Sequence, residues 1–210
     1  MDDFEAYILA GGRSSRMGTE KAMLRLGGLT LIQRSAGIIA DALMPSKITV
    51  VGGHSDRSAF GAIAFDLPFI FDLHEGRGPL GGLHAALANA QTAWTFLLAC
   101  DLPFVPPELI QLLATNISDE FGAVIPEQPD LRLQPLCGFY RRNIASDVLE
   151  AIFDLSRPTP PMHEIVHQMH PRIVRFAEFS HLAGIEDSFL NVNSPDDLEV
   201  AKSRFDASEL

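Results

Sequence analysis

Four basic side chains, Arg13, Arg16, Lys21 and Arg25, fall within thirteen residues of a chain that carries sixteen lysines and arginines in all. Most of this cluster lies in the run Leu9-Ala10-Gly11-Gly12-Arg13-Ser14-Ser15-Arg16-Met17-Gly18-Thr19-Glu20-Lys21. Adjacent glycines let backbone N–H groups approach phosphate oxygens, an arginine forks across two oxygens, and a lysine adds a compact charge. A nucleoside triphosphate is the natural ligand for that set. The spacing matches neither the P-loop, where lysine directly follows glycine and precedes Ser or Thr, nor the Gly-x-Gly-x-x-Gly of dinucleotide folds. The competing interpretation is a solvated glycine-rich turn with surface bases.

Three further runs carry candidate chemistry. In Cys100-Asp101-Leu102-Pro103 an acid ends the apolar stretch Trp94 to Cys100. A carboxylate there can hold magnesium, a hard cation that takes oxygen ligands and substrate phosphates, although aspartate before a proline turn also bonds its local backbone. The run from Asp72 through Gly78-Pro79-Leu80-Gly81-Gly82 has glycines that either shape a base or ribose pocket or soften a helix start. In Asn191-Val192-Asn193, alternation places both amides on one face of an extended segment, for a ligand or for capping the next helix. His163 and His167 lie one helical turn apart, with His170 close by, but no acidic or cysteine partner stands at zinc-motif spacing. Covalent catalysis has no Gly-x-Ser-x-Gly or cysteine–histidine signature behind it.

The elements that must position these residues are short apolar runs alternating with helical patterns. Glu5–Leu9, Ile48–Val51, Phe65–Phe71, Trp94–Cys100, Ala123–Ile125 and Leu136–Tyr140 read as strands. Leu31, Ile32, Ile38, Ile39 and Leu43, then Leu83, Leu87 and Ala90, then Leu109, Leu112 and Leu113 follow helical spacing. Pro106-Pro107 opens a helix and Asn143 is placed to cap another. Ser194-Pro195-Asp196-Asp197 starts a final helix over Pro195–Phe205. Strand–helix alternation predicts an α/β fold: a three-layer, mostly parallel twisted sheet with a Rossmann-like nucleotide-binding half, whose ligands sit beyond the strands' carboxyl ends.

At 210 residues and 47% hydrophobic content, one domain over 1–210 can bury about 70% of its unfolded surface. The expected division is a nucleotide-binding N-terminal half and an acceptor-binding C-terminal half. A net charge of −11 disfavours nucleic acid and anionic membranes as partners. The apolar stretches fall short of the ~20 residues of a membrane span, and the acidic start, Asp2, Asp3 and Glu5, is unlike a secretory signal. The expectation is a cytoplasmic protein. Cys100 and Cys137 read as reduced core thiols, and Trp94 and most phenylalanines as core.

Taken together, LAGG-x-S-S-R-M-G-x-E-K at 9–21, GPLGG at 78–82, CDLP at 100–103 and NVNSPDDL at 191–198 resemble the molybdenum cofactor guanylyltransferases, in order across nearly the whole chain. The resemblance implies a nucleotide-diphospho-sugar transferase-like fold and transfer of GMP from GTP to the terminal phosphate of molybdopterin or its molybdenum form, with release of pyrophosphate. By the same resemblance Leu9, Ala10 and Gly11 line the guanine nucleotide, Lys21 contacts its phosphates, and Asp72 and Asp101 match nucleotide and magnesium positions; the reading of the glycine-rich runs adds Gly12, Arg13 and Gly78 to the expected nucleotide contacts. Arg16, Lys21 and Asp101 serve catalysis, and Asp101 holds Mg2+. Asn191 and Asn193 are the candidate acceptor contacts. GTP and molybdopterin are the implied partners, with transient contact to cofactor-delivery or molybdoenzyme proteins. Glu20 replaces the aspartate usual before the lysine, and Gly81 stands where alanine is common. The family often has asparagine after the second strand, where this chain reads Val51-Gly52-Gly53-His54, so that contact does not carry over.

Two other readings share these residues. One is a related cytidylyl or sugar-phosphate nucleotidyltransferase. The other is a non-catalytic nucleotide- or cofactor-binding module, against which the presence of both Lys21 and Asp101 argues. Cytidylyl relatives tend to read LAAG where this chain reads LAGG, and a side chain at the second glycine narrows the space for a purine. GTP is therefore expected to be preferred over CTP. Gly12→Ala is expected to shift the kcat/KM ratio toward CTP about tenfold, equivalent to ~1.4 kcal/mol. Steady-state kinetics with both nucleotides check this, and a wild-type preference for CTP refutes the guanylyl reading.

Overall fold

The central strands of the sheet are largely apolar because helices cover both of their faces, leaving no polar side to alternate. The computed structural model describes residues 4–10, 23–53, 67–74, 76–153 and 159–208. In chain order the elements are β1 (Glu5–Leu9), the short pair β2 (Arg25–Leu26) and β3 (Leu29–Thr30), helix α1 (Leu31–Leu43), β4 (Lys47–Gly52), β5 (Phe69–Phe71), α2 (Pro79–Asn89) and β6 (Trp94–Ala99). There follow α3 (Pro107–Thr115), β7 (Ala123–Pro126), β8 (Cys137–Arg141), α4 (Arg142–Phe153), α5 (Met162–Gln168), β9 (Pro171–Val174), α6 (Phe176–Phe179) and α7 (Pro195–Ser208).

Seven strands form one sheet in the order β5-β4-β1-β6-β8-β7-β9. β5, β4, β1 and β6 run parallel, β8 is antiparallel to both of its neighbours, and β9 is parallel to β7. Successive side chains leave opposite faces of a strand, and the core divides accordingly. Ala6, Ile8, Val50, Phe96 and Leu98 pack with α1 and α3 on one side. Tyr7, Leu9, Val51 and Leu97 pack with α2, α4 and α5 on the other. The three-layer, mostly parallel architecture read from the sequence is the one observed.

Local signals explain several boundaries. Gly27 and Gly28 carry φ of +59° and +81°, so β2 and β3 close on a two-residue turn that wants positive φ at both positions. β3 runs straight into α1 through a capping box: Thr30 Oγ1 accepts the Gln33 N–H and Gln33 Oε1 accepts that of Thr30. Pro106 and Pro107 open α3 as expected. At α7, Ser194 Oγ accepts the Asp197 N–H, and the helix runs three residues beyond the expected Phe205. Both cysteines are buried and form no disulfide, and burial pushes the Cys137 thiol up to about 12.

Other expectations need correction. Asn143 does not cap α4, because the helix starts at Arg142, directly after β8, and Asn143 lies inside its first turn. β6 ends at Ala99, so Cys100 and Asp101 form the turn beyond it. Glu5, the first residue of β1, is 7% exposed, and its Oε2 accepts the Gln91 N–H at 2.6 Å. The strand expected from Phe65 is observed over Phe69–Phe71, and residues 65 and 66 lie outside the described residues. The β2–β3 hairpin and β9 were not foreseen.

Far from the carboxyl ends of the parallel strands, Gly122 enters β7 with its N–H on the Met169 carbonyl. A Cβ there would stand 2.3 Å from that backbone oxygen and 2.6 Å from Ile144 Cγ2. Backbone cannot yield cheaply, so Gly122→Ala is expected to cost about 2 kcal/mol of stability. Urea unfolding measures the loss, and an unchanged midpoint contradicts the packing described.

Candidate nucleotide-binding and metal site

β1 lies between β4 and β6 and is parallel to both; the connection leaving β1 runs toward β4 and the one leaving β6 runs toward β7, in opposite directions, so a crevice opens at the carboxyl ends of β1 and β6. The register pairs Leu9 with Val51 on one side and with Ala99 on the other. Beyond the strands, the Ala10 N–H donates to Val51 O and the Cys100 N–H to Leu9 O. Two of the sequence motifs, the start of the glycine-rich run and the Asp101 turn, therefore meet side by side. The NVN motif joins them: the Val192 N–H donates to Asp101 O at 3.0 Å. Val192 is fully buried, Asn191 is half-buried and Asn193 is exposed. Ser194 and Asp197 supply the cap of α7, with Asp197 Oδ2 also accepting the Asn193 N–H.

Asp72 follows β5, two strands out from β1. Its N–H donates to Gly52 O, which carries the β4–β5 pairing one step past β5, and its Oδ1 accepts the His74 N–H at 2.7 Å. The glycines of GPLGG are explained by close packing. Gly78 caps α2 at φ +62°, a conformation that L side chains rarely adopt. A Cβ on Gly81 would stand 2.2 Å from Asp72 Oδ1, and one on Gly82 would stand 2.8 Å from Leu9 Cδ2. The first turn of α2 thus lies directly against the Asp72 carboxylate and the end of β1. An acid beside a helix N-terminus is also electrostatically favoured.

His74 also faces His84 of α2, with Nε2 and Nδ1 3.0 Å apart, and both rings stack with Phe153. Burial and the neighbouring His74 hold His84 below the usual histidine range, against the opposing pull of Glu150 and Asp72. Nearby, a cavity of about 590 Å³ lies between the starts of α2 and α5, where Arg77 Nη1 donates to Thr159 Oγ1 at 2.7 Å. Neither the histidine pair nor Arg77 was singled out from the sequence, since spacing alone does not show that residues 74, 84 and 153 converge.

Asp101 is half-buried and its Oδ1 is shielded from solvent. Among the described residues no group of three or more His, Cys, Asp or Glu side chains is placed to hold a metal ion. A single carboxylate fits magnesium, which binds through one or two carboxylates and completes its shell with water and substrate phosphates. Gly11, Gly12, Arg13, Arg16 and Lys21 lie outside the described residues, as does His54. Arg25, the last base of the cluster, donates Nη1 to Gly28 O and braces the hairpin turn.

Asp72→Asn separates ligand binding from local structure, because the amide oxygen can still accept from the His74 N–H while the charge is gone. The expected outcome is a stability change under about 1 kcal/mol, with KM for the nucleoside triphosphate raised about tenfold. Urea unfolding and steady-state kinetics on one preparation check it. A stability loss with unchanged KM would make Asp72 a structural residue of the turn before α2 only.

The family model described as the MobA-like NTP transferase domain matches residues 6–168. A protein of Carboxydothermus hydrogenoformans described as a probable molybdenum cofactor guanylyltransferase is 33% identical over the whole of both chains. One of Pelotomaculum thermopropionicum with the same description is 33% identical, over 93% of this chain and 90% of its own. Among solved structures, molybdopterin-guanine dinucleotide biosynthesis protein A from Archaeoglobus fulgidus superposes with a TM-score of 0.78 at 26% identity, covering 98% of this chain and all of that one. With its four motifs in order and its parallel strands opening on one crevice, the chain belongs to the MobA-like NTP transferases and has their nucleotide-diphospho-sugar transferase-like fold.

Proposed function

We propose that the chain transfers GMP from GTP to the terminal phosphate of molybdopterin or its molybdenum form, releasing pyrophosphate and forming the guanine dinucleotide cofactor. The observation that carries this reading is the meeting of three distant motifs: Leu9-Ala10, the Asp101 turn and Asn191-Val192-Asn193, tied by the Cys100–Leu9 and Val192–Asp101 hydrogen bonds. The guanylyltransferase relatives, similar along nearly their whole length, support the same chemistry.

In this reading the nucleotide occupies the N-terminal half. Leu9, Ala10, Gly11 and Gly12 take the guanosine side, Asp72 and Gly78 close the pocket, and Arg13 assists at the phosphates. Asn191 and Asn193 contact the acceptor, brought in by the C-terminal half. The acceptor phosphate attacks the α-phosphorus in line. As a monoester with a second pKa of ~6 it is largely dianionic at neutral pH, so no protein base is needed. Arg16 and Lys21 offset the charge that collects on the departing pyrophosphate. Magnesium, bound at Asp101, supplies charge neutralisation on the phosphate oxygens.

Among the described residues no helix is long and apolar enough to cross a membrane. That accords with action in the cytoplasm on GTP and molybdopterin, with transient contacts to proteins that deliver the cofactor or receive it.

The test is pyrophosphate release from GTP, and separately from CTP, with molybdopterin present. Asp101→Asn is expected to keep the fold and lose most magnesium-dependent turnover, about a hundredfold, because an amide lacks the charge that holds the ion. Undiminished release by a well-folded variant removes Asp101 from the mechanism, and absence of release by the wild type removes the reaction itself.

A further inference from the structure

The turn that carries Asp101 is held from three sides. Two are backbone bonds, Cys100 N–H to Leu9 O and Val192 N–H to Asp101 O. The third comes from a side chain: Arg34 of α1 donates Nε to Pro103 O at 2.8 Å. Proline has no N–H to pair, so this carbonyl is the handle through which a neighbouring element can fix the turn two residues past Asp101. Arg34 itself is aimed by aromatic rings. Its guanidinium carbon lies 4.5 Å from the centroid of Phe205 and 5.8 Å from that of Phe104.

Phe205, on α7, holds a second element as well. Its ring covers Gly27, where a Cβ would stand 2.3 Å from Phe205 Cζ. Gly27 forms the turn of the β2–β3 hairpin, which begins at Arg25, four positions after Lys21. One ring thus bears on both the strand pair that follows the basic segment and the arginine that holds the Asp101 turn. A lysine in place of Arg34 would keep the charge but lose the planar fork, whose Nε direction is set by the ring against it.

We propose that Arg34 and Phe205 act as a positioning pair, clamping the Asp101 turn and the hairpin after Lys21 into one frame. The proposal rests on the guanylyltransferase reading, under which Asp101 and Lys21 act on the same triphosphate. In-line transfer depends on placement, and a displacement of about 1 Å caused far from the reacting atoms can cost up to a hundredfold in rate. The pair touches no reacting atom. Its influence passes through the Pro103 carbonyl on one side and Gly27 on the other, so its removal should lower kcat more than it weakens nucleotide binding.

Arg34→Met keeps most of the stem and removes the donor. Phe205→Leu keeps an apolar side chain and removes the ring. The two single variants, the double variant and Gly122→Ala as a destabilised but distant control are compared by amide hydrogen exchange without ligands and by kcat and KM for GTP. The expected result is exchange at Leu102 and Val192 about tenfold faster in both single variants, with kcat about tenfold lower and KM for GTP within about twofold. The double variant should be no worse than either single one, because each removes the same clamp. Gly122→Ala should lose stability without these changes. The proposal is overturned by unchanged exchange at Leu102 and Val192, by equal losses of kcat in Gly122→Ala, or by additive losses in the double variant. If the wild type releases no pyrophosphate from GTP, the guanylyl reading fails by itself, and the exchange measurements still decide whether the clamp exists.

Discussion

The site depends on the Cys100 N–H···O=C Leu9 hydrogen bond, one rung beyond the last paired residues of β1 and β6. It exists because β1 has a parallel neighbour on each side, so the chain leaving β1 and the chain leaving β6 emerge at the same edge and in contact. Two motifs far apart in sequence, the start of the glycine-rich run and the Asp101 turn, are thereby brought side by side without any loop having to reach for the other. The Ala99 N–H bonds Leu136 O, toward β8, while the Cys100 N–H bonds Leu9 O, toward β1. The strand's last residues are held from both sides immediately before the chain turns at Asp101.

Close approach of α2 is the second constraint, and it follows from the first. A ligand bound at strand ends needs a wall, and the helix after β5 provides it only if its first turn comes down onto the sheet. Gly81 and Gly82 permit that, one against Asp72 and the other against Leu9. Larger residues would lift the helix away from both. Gly81 and Gly82 therefore do their work in packing, through the absence of a Cβ.

Much of this was legible in the sequence. β1 could be read to the residue, because a strand buried on both faces is an apolar run with sharp ends. The Asp101 turn and the start of α7 were equally plain, marked by an acid at the end of an apolar run and by Ser-Pro-Asp-Asp. What escaped is what depends on three-dimensional proximity. Four-residue β9 has Arg172 in its middle and too little pattern to stand out, and the β2–β3 hairpin is too short for periodicity. Arg34 is one base on an amphipathic helix, and nothing local marks it as reaching Pro103. The Asn143 cap failed for a related reason: with no loop between β8 and α4, the chain enters the helix one residue before the side chain that could have capped it. Asp72 was visible as an acid at a strand end, yet its contact with Gly81 appears only once α2 is in place.

The single reversed strand sets which connections can line the crevice. β5, β4, β1 and β6 all send their carboxyl ends to the crevice, so the connections that follow them can line it. β8 runs the other way, and at that edge the chain is entering a strand at Cys137 rather than leaving one. Its following connection, α4, starts at the opposite edge of the sheet. On the β8 side the edge is met by the connection from β7 into β8, whose Leu136 O accepts the Ala99 N–H. The Asp101 turn itself is met by a segment from far along the chain, with Val192 buried and bonded to Asp101 O. A buried valine between two asparagines suits such a place: the apolar residue anchors the segment, and its neighbours keep polar groups beside the turn that bears Asp101.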